Sequence, residues 1–136
     1  MPLIHWTEKM SVNVEVLDED HKNLFIIINE LHAAIMAGHN REVLESVVGR
    51  LIEYSKVHLA REEELMERAG YPDRFAHKRE HDGMIKRVED MKARLSTGST
   101  AMLSLELKSF LENWWTVHIQ GSDQKYTRHM NRNGIS

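Results

Sequence analysis

The sequence contains no cysteine, so disulfides, thiolate nucleophiles, iron–sulfur clusters and cysteine-type zinc sites are excluded. It has only two prolines, which leaves room for long uninterrupted helices. No apolar run approaches the roughly 20 residues of a membrane span, so no membrane insertion is expected. The N-terminal segment lacks the basic-then-apolar layout of a signal peptide, and we expect a cytoplasmic location.

An excess of charge of one sign is also missing. With 18 basic and 21 acidic residues the net charge is −3, which predicts no broad attraction to nucleic acid or to an anionic membrane. Hydrophobic residues make up 41% of the chain, enough for a core. A length of 136 residues suits one domain, and we expect residues 1–136 to form it.

Apolar residues recur at helical rather than strand spacing. Asp18, Asn40 and Asp73 are candidate N-caps, and Gly38 and Gly70 can end the first two helices. Four amphipathic helices with short connections predict an all-α, antiparallel up-down-up-down four-helix bundle. The predicted segments are an irregular arm at 1–17, helices at about 18–37, 41–69, 74–95 and 102–118, and a tail at 119–136 with a short helical piece near 123–130.

Nine histidines are unusual for a chain of this size, and five of them fall on the apolar faces of the predicted helices. His58 and Glu62 are four residues apart, one helical turn, as are His77 and His81. Burying such groups unpaired would cost several kcal/mol each, so they must satisfy one another or bind something. The inward-facing polar residues are His21, His58, Glu62, His77, His81 and His118.

The order of these residues along the chain is a second, independent signal. They lie at the start of helix one, late in helix two, at the start of helix three and at the end of helix four. In an antiparallel bundle these four places share one end of the molecule. Asp123 is a seventh candidate: five residues after His118, it would leave the stripe of a continuous helix, although Gly121 lets the chain turn. Spacing alone leaves Asp123 open.

The side chains restrict the kind of metal site. Neutral imidazole suits iron, zinc, copper or nickel, and a carboxylate can bridge two ions. Seven ligands are too many for one tetrahedral zinc, whereas two six-coordinate ions sharing two carboxylates would use all seven. A ferritin-like oxidase is disfavoured, because it needs Glu-x-x-His pairs and the nearest string is Asp18-x-x-His21. Glu63 and Glu64 are expected to be solvated.

The sequence resembles the hemerythrins, and specifically the single-domain bacteriohemerythrins. The matching pattern is His21, His58-x-x-x-Glu62, His77-x-x-x-His81 and His118-x-x-x-x-Asp123, with flanking strings DEDHKNLF, HLAREEELM, YPDRFAHKREH and HIQGSDQKY. Trp6 and Tyr126 also look like family positions, so the resemblance spans about residues 6–126.

The resemblance implies an oxo- or hydroxo-bridged pair of iron ions. By match, one iron would be bound by His77, His81 and His118 and the other by His21 and His58, while Glu62 and Asp123 would bridge them. Dioxygen would bind end-on at the two-histidine iron as a hydroperoxide. The implied function is reversible dioxygen binding for transport, storage or delivery to an oxygen-using enzyme.

The resemblance also implies an apolar oxygen pocket. By match its walls are Leu24, Ile28, Leu59, Trp114, Trp115 and Ile119. The family usually has Phe where this chain has Leu59, and Leu where it has Trp115. This exchange roughly conserves volume. We hypothesise that Trp115 covers the open iron and slows entry of ligand or water.

Two other function classes remain open. The same irons would suit an enzyme that consumes peroxide or nitric oxide, or a module that senses oxygen or redox state. A sensor would normally carry a fused receptor or output domain, for which we expect no room in 136 residues. The expectation is a monomeric, non-enzymatic binding protein with dioxygen as its ligand.

Overall fold

The computed structural model describes residues 2–98 and 100–136, and every regular element in these ranges is helical. Four long helices form the bundle, and the short ones lie at its ends. They are α1 (Glu15–Met36), α2 (Arg41–Arg68), α3 (Arg74–Leu95), α4 (Thr100–Gln120) and α5 (Thr127–Arg132), with 3₁₀ turns at Glu8–Met10 and Asp123–Tyr126.

The helices pack in chain order around one core. α1 packs on α2, α2 on α3, α3 on α4, and α4 returns to α1. The connections between them are short, so neighbouring helices are antiparallel. This is the predicted four-helix bundle. No helix in the described ranges combines the length and hydrophobicity needed to cross a bilayer.

The boundaries of α2 follow from local signals. Asn40 accepts a hydrogen bond from the backbone N–H of Val43 at 3.1 Å, as an N-cap side chain does. At the other end Gly70 has a φ of 66°, the left-handed conformation in which glycine is favoured. Asp73 does precede α3, but its side chain makes no capping hydrogen bond.

The start of α1 differs from the prediction. The helix begins at Glu15, and Asp18 lies inside it rather than at its N-cap. The Asp18 carboxylate instead accepts hydrogen bonds from Ser11 Oγ at 2.6 Å and from the Val12 N–H at 2.8 Å. The reason is tertiary, because Val12 and Val14 are buried and draw the arm into the bundle before the helix starts.

Gly121 ends α4 through a close backbone approach. A Cβ at this position would lie 2.8 Å from the carbonyl oxygen of Val117, nearer than real Cβ atoms come. The Gly121 N–H donates to that same oxygen at 2.9 Å. The chain then turns into the segment that carries Asp123.

Candidate metal centre

The polar residues predicted to face the core meet at one end of the bundle. Each of the seven side chains is at most 5% exposed. α1 supplies one, α2 two, α3 two, α4 one and the second 3₁₀ turn one. In that order they are His21, His58 and Glu62, His77 and His81, His118, and Asp123.

Two histidines form the smaller half of the cluster. The Nε2 atoms of His21 and His58 are 3.1 Å apart. Oε2 of Glu62 lies 3.4 Å from Nε2 of His58 and 3.7 Å from Nε2 of His21. Oδ2 of Asp123 lies 3.4 Å from the same atom of His21. Each carboxylate thus presents one oxygen to this half.

Three histidines form the larger half. The Nε2 atoms of His81 and His118 are 3.0 Å apart. Oε1 of Glu62 lies 2.9 Å from Nε2 of His77 and 3.0 Å from Nε2 of His81. Oδ1 of Asp123 lies 2.9 Å from Nε2 of both His77 and His118. Because the second oxygen of each carboxylate serves this half, Glu62 and Asp123 are placed to bridge two ions.

The seven side chains are better arranged to bind metal ions than to form hydrogen bonds with one another. Two facing imidazole nitrogens form a hydrogen bond only if one of them carries a proton and donates it to the other. Here all five Nε2 atoms point into the same cluster. Both oxygens of Asp123 are buried and lack a hydrogen-bond partner among the described residues, although imidazole nitrogens lie 2.9 Å from Oδ1 and 3.4 Å from Oδ2. Ligands that face a shared ion rather than each other adopt this arrangement.

The carboxylates control the protonation of the histidines. Burial on its own lowers the pKa of His21, but the adjoining Asp123 and Glu62 outweigh it and raise that pKa to about 9. The same opposition raises the pKa of His77 to about 10. Burial raises the pKa of Glu62, yet its four histidine neighbours hold it well below the usual value. Protons therefore compete with metal for these nitrogens.

A second layer of carboxylates holds the outer nitrogens of three histidines. Nδ1 of His58 donates to Asp20 at 2.9 Å, and Arg61 donates to the other oxygen of Asp20 at 2.7 Å. Nδ1 of His118 lies 3.0 Å from Oε2 of Glu80. Such partners fix each ring with Nε2 turned toward the centre of the cluster and raise its basicity.

Glu63 belongs to this layer, so the expectation that it is solvated was wrong. Its Oε2 accepts a hydrogen bond from Nδ1 of His81 at 3.0 Å, and its side chain is 26% exposed. Glu64, by contrast, is exposed. Sequence reasoning missed all three outer carboxylates. The available signal was that Asp20, Glu63 and Glu80 each adjoin a ligand residue in the chain.

Tyr126 closes the site from the C-terminal side. Its hydroxyl donates to Oε2 of Glu62 at 2.9 Å, and the ring is fully buried. Burial raises the pKa of this phenol well above its usual value, so it remains a donor. The phenol therefore helps to orient the bridging Glu62.

The predicted pocket residues fall into two groups. Five are buried in the core at this end, namely Leu24, Ile28, Leu59, Trp115 and Ile119. The Trp115 ring lies beside the two-histidine half, with its centroid 6.4 Å from that of His21 and 6.1 Å from that of His58. Trp114 is half-buried and stacks on His118 at 4.3 Å, so it contacts the three-histidine half.

Comparisons with known proteins agree with the geometry. The family model described as the Hemerythrin HHE cation binding domain matches residues 12–129. A Bacteriohemerythrin of Stenotrophomonas maltophilia is 37% identical over 126 residues, covering 93% of this chain and 80% of that one. A Bacteriohemerythrin of Pseudomonas aeruginosa is 35% identical over 121 residues, with coverages of 89% and 77%. The crystal structure of wild-type hemerythrin matches with a TM-score of 0.84 and 29% identity, covering 94% and 98%.

Proposed function

The chain belongs to the hemerythrin family, and from this premise we propose that it holds two iron ions and binds dioxygen reversibly. The role is to carry, store or deliver dioxygen, and an oxygen-using enzyme is the natural recipient. In this role the chain is a binding protein and not an enzyme, since dioxygen leaves unchanged. The proposal also places the protein in the cytoplasm as a monomer.

The inequality between the two halves of the cluster carries the proposal. Each half receives one oxygen from Glu62 and one from Asp123, but one half has three imidazoles and the other two. For two ions of equal coordination number, the two-histidine side therefore has one more position free. An exogenous ligand would enter there. When bound, the iron pair supplies this position and the electrons that dioxygen binding requires.

Apolar residues around the free coordination position keep water away from it. Leu24, Ile28 and Ile119 are buried at this end of the core, and Trp115 lies against both imidazoles of the two-histidine half. Water and protons promote irreversible loss of reduced oxygen, so a site that releases dioxygen must exclude both. The buried wall serves this exclusion.

The histidine-rich ligand set favours binding over oxidation chemistry. Five neutral imidazoles and two carboxylates leave a metal pair less negatively charged than a carboxylate-rich set would. A less negative site disfavours the high-valent states that strong oxidants need. This observation supports a binding role above the peroxide- or nitric-oxide-consuming alternative.

An anaerobic iron count with optical spectra before and after exposure to air tests the proposal. We expect two irons per chain and a visible charge-transfer band that appears in air and fades under vacuum. Irons that oxidise directly to a stable diferric form would overturn reversible binding and favour a redox enzyme or sensor. Fewer than two irons after reconstitution would contradict the seven-ligand assignment.

A further inference from the structure

Trp115 presents a buried hydrogen-bond donor that has no acceptor. The residue is 0% exposed, and its indole Nε1 contacts no hydrogen-bond partner within residues 2–98 and 100–136. A buried donor without a partner is costly, and native proteins rarely retain one. Such a group at a binding site points to an acceptor that arrives with the ligand.

The surroundings of Trp115 restrict where that acceptor can be. The ring lies edge-on to Trp114, with centroids 5.0 Å apart and planes at 83°. On the side of the metal cluster it adjoins His21 and His58, at 6.4 and 6.1 Å between centroids. Nε2 of each imidazole faces the cluster and is used there. The indole ring therefore adjoins the two-histidine half, where the proposed function places the open ligand position.

We propose that the indole N–H of Trp115 donates a hydrogen bond to the small ligand that occupies the open position beside His21 and His58. This inference rests on the proposed function and makes it more specific. The ligand class is a small molecule that carries negative charge, or acquires it on binding, at the atom facing the indole. Azide is a stable member of this class.

The proposal gives the pocket a chemical preference as well as a shape. A hydrocarbon side chain at position 115 would contact charged and neutral ligands alike, whereas an N–H group stabilises the charged ones. Trp115 thus acts as a specificity-determining residue. Ligands that are anionic, or become so on binding, gain affinity from it, and molecules of similar size that stay neutral when bound gain little.

Azide titration of the iron-loaded, diferric protein tests the donor. Trp115→Phe removes the N–H and keeps an aromatic ring, and we expect the azide Kd to rise about 10- to 100-fold. Trp6→Phe is the matched control, because Trp6 Nε1 is also buried without a partner but lies in the N-terminal arm under Lys22. The control should bind azide as the wild type does. Equal Kd values for all three proteins would overturn the proposal.

A vibrational measurement tests the same bond without relying on the variant. The stretching band of bound azide in the wild type should shift when H₂O is replaced by D₂O, because the indole proton exchanges. The shift should vanish in Trp115→Phe and persist in Trp6→Phe. A wild-type band with no shift would mean that the indole does not donate to the azide, and the proposal would be wrong.

The two experiments separate this inference from the proposed function. Suppose that the protein holds two irons and binds dioxygen reversibly, but that its azide affinity does not change in Trp115→Phe. This result would support the proposed function and overturn the inference alone. An azide affinity that depends on Trp115, without reversible dioxygen binding, would support the inference and overturn the proposed function. Iron-loaded wild-type protein that binds no azide would overturn the inference, since the donor would then have no anionic ligand.

Discussion

Tyr126 and Glu62 are 64 residues apart in the chain, and the phenol of one donates a 2.9 Å hydrogen bond to the carboxylate of the other. Both side chains are fully buried. The bond joins the C-terminal turn to the later part of α2 at a residue that faces both halves of the cluster. The C-terminal segment is therefore part of the candidate metal centre.

Replacing Tyr126 with Phe should destabilise the metal-free protein by about 1.5–3 kcal/mol, the usual contribution of a hydrogen bond to a charged group. Urea unfolding at neutral pH measures this change. Tyr71→Phe is the control, because Tyr71 packs edge-on against Tyr126 without a hydrogen bond to the cluster. A similar loss in both variants would indicate that packing, not the bond to Glu62, is responsible.

Removing the metal should lower the melting temperature. The ions bind the folded chain and satisfy buried carboxylates and imidazoles that otherwise face one another. With free metal at a hundred times its Kd, the expected fall is roughly 10 °C. Calorimetry of iron-loaded and chelator-treated protein provides the comparison. Equal melting temperatures would contradict a metal site in the core.

The stability of the metal-free protein should decrease as the pH rises from about 6.5 to about 10. The folded-state pKa is raised from 6.5 to about 9 for His21 and to about 10 for His77. Between these values the folded protein binds more protons than the unfolded chain, so raising the pH favours unfolding. Urea unfolding across this range checks the slope. A rise in stability from pH 7 to pH 9 would show that the histidines are not held by the carboxylates.

The protons held by these histidines should also make metal binding depend on pH, but in the direction opposite to the stability of the metal-free protein. Metal must displace them from His21 and His77, so loading should release protons and strengthen as the pH rises toward 9. As the pH falls below the usual carboxyl range, the lowered pKa of Glu62 adds a second loss of stability, because the folded state favours its charged form more strongly than the unfolded chain does. Proton release on metal addition, followed with an indicator dye in weak buffer, measures the effect. No release near pH 7.5 would argue against the assignment.

Asp20→Asn should weaken metal binding about tenfold to a hundredfold, as loss of a carboxylate behind a ligating histidine typically does. The Asp20 carboxylate orients His58 at 2.9 Å and is itself held by Arg61. Competition with a chelator of known affinity gives the Kd. Asp82→Asn is the control, since that carboxylate pairs with Lys78 on the surface. Asp20→Asn with wild-type affinity would show that His58 needs no second partner.

Trp115→Leu should speed both dioxygen association and autoxidation. The indole is fully buried beside His21 and His58, and leucine at this position would leave space for ligand and water. Stopped-flow mixing gives the association rate, and loss of the oxygenated spectrum gives the autoxidation rate. If both rates stay unchanged, Trp115 does not control access.

The sequence predicted the bundle because its signals are local. Helix-period apolar residues define the faces, and Asn40 and Gly70 mark boundaries through contacts within a few residues. Asp18 failed as a predicted cap because its partners, Ser11 and Val12, are brought to it by burial of the arm. That contact depends on the tertiary structure, which spacing does not report.

The residues of the candidate site also divide into those that local spacing predicts and those whose place depends on the tertiary structure. Two regular four-residue spacings, His58 to Glu62 and His77 to His81, put these ligands on helix faces that the structure joins. Asp123 could not be placed by spacing, because its position depends on the close approach at Gly121. Glu63 was misjudged because its acceptor role depends on where α3 presents His81.

The position of Asp123 and Tyr126 separates the part of the chain that builds the bundle from the part that completes the site. Both lie beyond α4, and together they supply a bridging carboxylate and the phenol that orients the other one. A chain shortened before residue 123 would keep the four long helices of the bundle but lose both of these groups. Under the proposed function such a chain could fold and still fail to hold a metal pair, so the short C-terminal segment separates the ability to form the bundle from the ability to bind metal.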